Sequence, residues 1–421
     1  MMPGWLDARA ATLGIAGAAT ACVILRPARI PEYVWALAGA VLLVAGSLVP
    51  WADALQAVGR GADVYCFLAG MMLLSELGRR EGLFDWLAGV AARHAAGSAS
   101  RLFLWIYGAG TLVTVFMSND ATAVVLTPAV YAATRQAGVK PLPYLFACAL
   151  IANAASFVLP ISNPANLVVF GDQLPALLPW LRRFLLPSLA SIVATFLVLR
   201  WLFRAELSGR TRAPADVAAL GRTGRLAAAA VALMAAVLLV ASAFDVALGL
   251  PALVVALLAT GVIQLARREG PQALVREISW GVLPLVAGLF VLVEGVQRTG
   301  LLQSVAQSLQ HLSAHSPQAA TWAAGLLAAF GCNLVNNLPG GLAAGTIAQL
   351  ADATPAVRSA IAIGIDLGPN LSVTGSLATL LWLAAIRREG EDVGAWQFLK
   401  VGAVAMPAAL LCALLAMSVT L

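Results

Sequence analysis

IGIDLGPNLSVTGSLATLLWL, residues 363–383, joins two apolar runs that cannot form one continuous helix. Gly368, Pro369 and Gly375 lie inside it, with Asn370, Ser372, Thr374, Ser376 and Thr379 crowded among them. Proline lacks an amide donor and clashes one turn back, and glycine relaxes the backbone, so a helix entering this stretch unwinds. At membrane depth, unwound backbone is tolerated only where protein or water satisfies it. The amides and hydroxyls of this stretch supply both donors and acceptors for that purpose.

The composition around it calls for a bilayer. Of 421 residues, 61% are hydrophobic and 11% charged, and the mean hydropathy is +0.88. Soluble domains are about half apolar and about a quarter charged. Apolar spans fall at 10–25, 33–50, 63–78, 142–172, 184–204, 225–243, 250–266, 279–297, 356–386 and 395–419. Two more apolar stretches, 101–135 and 317–351, are interrupted by polar residues and by glycine or proline. The one clearly hydrophilic loop, 205–224, carries Arg210, Arg212 and Arg222. Placing it in the cytoplasm puts most arginine-bearing connections on the same side, as the positive-inside rule expects. Both termini then lie outside, and Arg182 and Arg183 are the exception to the pattern. The net charge of +6 is therefore a matter of membrane orientation rather than of nucleic-acid binding.

Several chemistries drop out. Lys140 and Lys400 are the only lysines and neither follows a glycine, which rules out a GxxxxGK[ST] phosphate loop. The three histidines lack an HExxH pattern, no GxSxG occurs, and the five cysteines form no CxxC. The expectation is a transporter rather than an enzyme, with no resident metal or cofactor. Asp7 and Arg9 precede the first apolar run without a basic leader, so 10–25 reads as a retained span.

An internal repeat organises the chain. LAGMMLLSE at 68–76 matches VAGLFVLVE at 286–294, Gly82-Leu83 matches Gly300-Leu301, and Ser118-Asn119 matches Asn336-Asn337, all at one offset. After a short gap Asn153 pairs with Asp366 and Asn163 with Ser376. Each half, 1–204 and 225–421, then holds three spans, one interrupted stretch, one broken span (142–172 or 356–386) and a last span. The threading gives matched spans opposite directions, the arrangement of an inverted repeat.

Four polar clusters interrupt the apolar runs, two per half. They are Ser118-Asn119-Asp120 with Thr122 and Thr127; LPISNPANL with Asn163 and Asn166; NLVNNLPGG with Asn336 and Asn337; and the opening stretch with Asp366, Thr374, Gly375, Ser376 and Thr379. Their symmetry points to one binding site between the repeats at mid-membrane. An ionised Asp at the bilayer centre costs roughly 2.5–3.5 kcal/mol on insertion scales, so a deep Asp pairs, protonates or faces water. Asp120 and Asp366 are accordingly the candidates for proton coupling. Glu76 and Glu294, near the ends of their spans, read as structural or interfacial.

SNDATAVVLTPAV, IANAASFVLPISNPANLV, NNLPGG and IGIDLGPNLSVTGSLATLLWL resemble the arsenite/antimonite efflux permeases, the arsenical pump membrane protein family of an ion-transporter superfamily. The resemblance runs from the first span to FLKVGAVAMPAALLCALLAM at the end. It implies an all-α polytopic membrane protein of the elevator type, with about ten transmembrane helices and two re-entrant hairpins. The hairpin tips would be Ser118–Asp120 and Asn336–Leu338, and the helix breaks Ser162–Asn166 and Thr374–Thr379. The implied activity is extrusion of arsenite or antimonite across a bacterial inner membrane in exchange for protons. Some such permeases use a soluble ATPase, and a homodimer is expected from related transporters. A sodium/proton or organic-anion transporter of the same superfamily is the alternative. Two departures stand out: Asn153 lies where the family often carries Asp, and Gly340-Gly341 follow Pro339 where Pro-Thr is expected.

Overall fold

The computed structural model describes residues 4–212 and 219–420, so part of the hydrophilic loop, 213–218, lies outside the described residues. The described chain is helical, apart from turns and one isolated bridge between Ser98 and Arg210. Its first half runs α1 (Gly4–Leu25), α2 (Glu32–Ala45), α3 (Trp51–Arg60), α4 (Ala62–Arg80), α5 (Leu83–His94) and α6 (Ala99–Phe116). A short turn, α7 (Asn119–Ala121), passes through a π-helical stretch, Thr122–Leu126, into α8 (Thr127–Gln136). Then come α9 (Leu142–Ala154), α10 (Pro164–Phe170) and α11 (Leu177–Leu202). The second half runs α12 (Arg222–Ala243), α13 (Gly249–Arg267), α14 (Gln272–Glu277), α15 (Val282–Arg298) and α16 (Leu301–His315). It continues as α17 (Pro317–Val335), α18 (Asn337–Leu350), α19 (Pro355–Leu367), α20 (Leu377–Arg388) and α21 (Ala395–Thr420).

Local chemistry sets many of these boundaries. Gly82 and Gly300 take φ of +69° and +78° immediately before α5 and α16, a conformation that glycine adopts without a Cβ penalty. Ser98, Ser316 and Thr354 open α6, α17 and α19 by accepting an amide of the first turn. Seven helices among the described residues are long and apolar enough to cross a membrane. The number rises to nine if the bent pairs α3–α4 (47°) and α15–α16 (72°) each count as one span. The apolar runs at 142–172 and 356–386 are each two helices around a break. The run at 184–204 begins earlier than its hydropathy suggests, at Leu177, so Arg182 and Arg183 lie within α11 rather than before it.

Close packing without a polar driving force requires small residues. Helix α4 lies along α13, where the Gly249 amide donates to Asp63 Oδ1 at 2.7 Å and a Cβ on Gly249 would strike the Asp63 carbonyl oxygen. Helix α17 lies along α19, where a Cβ on Gly364 would strike the carbonyl oxygen of Gly325. The ion pairs among the described residues lie near helix ends and in connections. Arg80 donates to Glu277 of α14 at 2.7 Å, and this guanidinium holds the Glu277 carboxyl below its ordinary range. Arg79 joins the same pair and also holds Glu76. At the other end of α4, Arg60 pairs with Glu294 at 3.2 Å, and Arg298 binds both Glu294 and Asp53. Glu76 and Glu294 are thus rim residues tied to arginines.

Gly364→Ala should cost about 1–3 kcal/mol by overpacking the α17–α19 contact. It should lower the apparent Tm of the detergent-purified protein. Gly59→Ala, with nothing within 4 Å of its Cβ, should leave the Tm in place or raise it slightly.

Candidate functional site

Each interruption has its own capping chemistry. Ser118 is fully extended (φ −176°, ψ 165°) and its Oγ accepts the Ala121 amide at 3.2 Å. Asn119 Oδ1 accepts the Asp120 amide at 2.9 Å. Asn163 opens α10, its Oδ1 accepting the Ala165 amide at 3.0 Å. Ser376 opens α20 in the same way, accepting the Thr379 amide at 3.1 Å. Asn336 alone separates α17 from α18, at φ +75° and ψ 155°. That positive φ is strained for a side-chain-bearing residue and persists only where its surroundings impose it. Here the Asn336 amide donates to the Thr374 carbonyl at 3.2 Å, tying this turn to the break in the other broken span.

The breaks cross-link one another. Asn163 Nδ2 donates to Asp366 Oδ1 at 2.7 Å, and Asn153 Nδ2 donates to Asn370 Oδ1 at 2.9 Å. Asn333 donates to the Gly368 carbonyl at 3.0 Å and accepts from Ser372 at 2.6 Å. Asn166 Nδ2 donates to the Ser156 carbonyl at 2.9 Å. Asp366 is buried at 1% exposure, and its Oδ2 accepts no hydrogen bond among the described residues.

Asn119, Asp120, Asn163 and Asn337 come together around one cavity of about 10 Å³, walled on its apolar side by Leu68 and Val282. Space of this order holds about one water. No lysine or arginine lines it. Of the twelve residues expected at the site, these four reach the cavity and Asp366 touches it through Asn163. Ser118 caps the adjoining turn. Asn166, Asn336, Thr374, Gly375, Ser376 and Thr379 hold the breaks instead of lining the cavity. A Cβ on Gly375 would lie 2.5 Å from Pro369 Cα, so only glycine lets the break fold back on itself.

The unwound segments sit earlier than the expected 162–166 and 374–379. They occupy 155–163 and 368–376, with Asn166 already in α10 and Thr379 in the first turn of α20. The cause is capping: Asn163 and Ser376 end their breaks by binding the next amides, so the residues beyond them are helical. The sequence reading left Asn153, Asn333 and Asn370 outside the site, although they carry its cross-links. Leu68 and Val282 had no polar signal by which to be found.

A helical membrane bundle, broken around a buried cluster of amides and a carboxylate, is the architecture of a membrane transporter. The chain belongs to the citrate transporter family, whose model matches residues 20–386. An arsenical pump membrane protein of Escherichia coli is 27% identical over 322 residues, covering 70% of this chain and 72% of that protein. An uncharacterized transporter of Mycobacterium bovis is 25% identical over 407 residues, covering 91% and 92%. In fold the chain is similar to the YdaH transporter of Alcanivorax borkumensis, with a TM-score of 0.57 at 16% identity over 87% of this chain and 86% of that one. It is also similar to MtrF of Neisseria gonorrhoeae, with a TM-score of 0.53 at 12% identity over 90% and 84%. The resemblance to arsenical efflux permeases read from the polar clusters is borne out by these relatives.

Asn163→Ala removes the α10 cap, worth about 1 kcal/mol. It also leaves Asp366 without its donor, worth a further 1–3 kcal/mol or so. Ser376→Ala removes a cap and the 2.9 Å hydrogen bond to the Thr379 hydroxyl, but leaves no buried acid without its donor. Thermal unfolding in detergent should show a clearly larger fall for Asn163→Ala; equal falls would remove Asp366 from the account.

Proposed function

We propose that this chain is a secondary active transporter of a bacterial inner membrane that extrudes arsenite or antimonite in exchange for protons. The observation that carries the reading is the cavity of Asn119, Asp120, Asn163 and Asn337, which holds amides and one carboxylate but no cationic side chain. Near neutral pH arsenite is mostly an uncharged trihydroxide. Amides exchange hydrogen bonds with such hydroxyls at about 1 kcal/mol net each, without having to neutralise a charge. Neither Cys148 nor Cys332 lines the cavity, so recognition through oxygen suits it better than thiolate bonding. The arsenical pump relatives support the same substrate class.

In this proposal Asp120 and Asp366 are the proton carriers. Asp120 lines the cavity and Asp366 binds Asn163, so a proton on either changes the hydrogen bonding offered to the solute. The halves 1–204 and 225–421 act as inverted repeats, with 101–135 and 317–351 entering and leaving the membrane on one side. The body that carries the cavity moves as an elevator against the rest. A homodimer, and a soluble ATPase on the loop 205–224, fit the same reading. That loop's described end is occupied by the protein itself: the Arg212 amide donates to the Ala137 carbonyl at 2.9 Å, and the Thr211 amide to that of Gly97 at 3.0 Å.

A second reading, organic-anion or sodium/proton transport, draws on the family's citrate model and on a larger cavity of about 430 Å³ that includes Arg60 and Arg358. Arg60 is already paired with Glu294, whereas Arg358 binds only neutral groups, Gln173 and the Ala353 carbonyl, and keeps its charge; Asp63 and Asp245 line the same cavity and oppose an anion there.

Everted vesicles with an imposed proton gradient decide between the readings. Radiolabelled arsenite should accumulate with wild type and fall to background with Asp120→Asn or Asp366→Asn. If arsenite stays out under every gradient while citrate enters, the organic-anion reading replaces this one.

A further inference from the structure

The two cavities lie on one seam. The smaller touches Leu68 of α4, Pro164 of α10, Val282 of α15 and Leu338 of α18. The larger, about 430 Å³, touches Val64, Leu167, Phe290 and Leu342 of the same four helices. On α4 and α18 the paired positions are four residues apart, and on α10 three, so each pair shares a helix face about 4.5–6 Å apart along the axis. On α15 the pair is two turns apart, with buried Val286 between them. In the orientation set by the arginine-rich loops, every one of these pairs runs outward from the small cavity to the large one. The large cavity also reaches Arg60 and Asp245, on connections expected outside, and Gln297 at the end of α15 expected to face the same side.

We infer that Val64, Leu68, Leu167, Phe290 and Leu342 form an outer hydrophobic gate above Leu338, and that the 430 Å³ cavity is the external vestibule through which the solute leaves. The gate assignment rests on the small cavity being the substrate site. Every member is aliphatic or aromatic, and Val64, Leu68 and Leu167 are buried, at 2–5% exposure. An apolar constriction of this thickness excludes water and hydrated solutes without any charged side chain. The vestibule beyond is polar enough to hydrate a released trihydroxide, with Asp63, Thr346 and Gln349 in its wall. The gate lies between elements of α4 and α15 on one side and of α10 and α18 on the other, so displacing one side along the other, as in the proposed elevator movement, opens it without unfolding a helix.

Thiol accessibility tests the inference in full-length protein whose native cysteines are replaced by alanine. Thr346→Cys reports on the vestibule and Leu338→Cys on the space beneath the gate. In intact cells, a membrane-impermeant maleimide should label Thr346→Cys readily. Leu338→Cys should react at least about tenfold more slowly, the rate set by an open state populated at no more than about 10%. Adding Leu342→Ala or Leu167→Ala should bring Leu338→Cys to the rate of Thr346→Cys, while Thr346→Cys in the same backgrounds, unchanged, shows that the fold is kept. Fast labelling of Leu338→Cys behind an intact ring would overturn the gate, as would slow labelling once the ring is truncated. Labelling of Thr346→Cys only in everted vesicles would put the cavity on the wrong face. None of these readings requires a transported solute, so a failure of arsenite flux with this pattern intact would sink the substrate assignment and leave the gate standing.

Discussion

Every interruption in this bundle has to satisfy its own backbone inside hydrocarbon, and that requirement shapes everything around it. An unpaired amide or carbonyl there costs several kcal/mol. The chain meets the demand with side chains that start helices: Ser118, Asn163 and Ser376 each bind an amide of the turn that follows. Asparagine does more, because it donates and accepts at once. Asn163 caps α10 with its oxygen and holds Asp366 with its nitrogen, so one side chain both ends a break and fixes the deepest acid. Asn333 does the equivalent for the other break, gripping Gly368 and Ser372.

That division of labour separates structural polarity from polarity that remains for a ligand. Both polar atoms of Asn163 are engaged, and those of Asn333 likewise. Among the described residues Asn337 Oδ1 has no hydrogen-bond partner, and it faces the same cavity as Asp120. Uncommitted groups therefore remain at the tips, at Asp120 and Asn337, and also deeper, where Asp366 Oδ2 and the Oδ1 atoms of Asn153 and Asn166 lack partners among the described residues. A cluster dense in Asn, Ser and Thr is thus mostly scaffolding, and its recognition surface is a small remainder.

The sequence made the helical class and the interruptions legible, because each has a local cause. Gly82 and Gly300 announce helix starts by needing positive φ, and Pro160, Pro164 and Pro369 mark where a helix cannot continue. What it did not reveal depends on partners far along the chain. Nothing about Asn166 in isolation says that its amide turns toward the Ser156 carbonyl and away from the cavity. Thr379 looked like part of a break because it follows Gly375 and Ser376, but the Ser376 cap makes it helical. Leu68 and Val282 are invisible to any search for polar residues, since their part in the site is to face it from the opposite helices.

The distribution of close contacts also indicates where the molecule yields. Backbones touch within groups of helices: a Cβ on Gly70 of α4 would lie 2.6 Å from the Ala252 carbonyl carbon of α13, and one on Gly345 of α18 would lie 2.5 Å from the Val169 carbonyl oxygen of α10. Such contacts interlock and resist sliding, because the smallest displacement drives backbone into backbone. Between the α4–α15 side and the α10–α18 side lie both cavities, lined there by Leu, Val and Phe side chains. Branched side chains can change rotamer, and cavities leave them room, so displacement along this seam costs less than displacement across either welded pair. The small cavity carries side chains from α7, α10 and α18 on one wall and from α4 and α15 on the other, so any such displacement changes the walls around whatever the cavity holds.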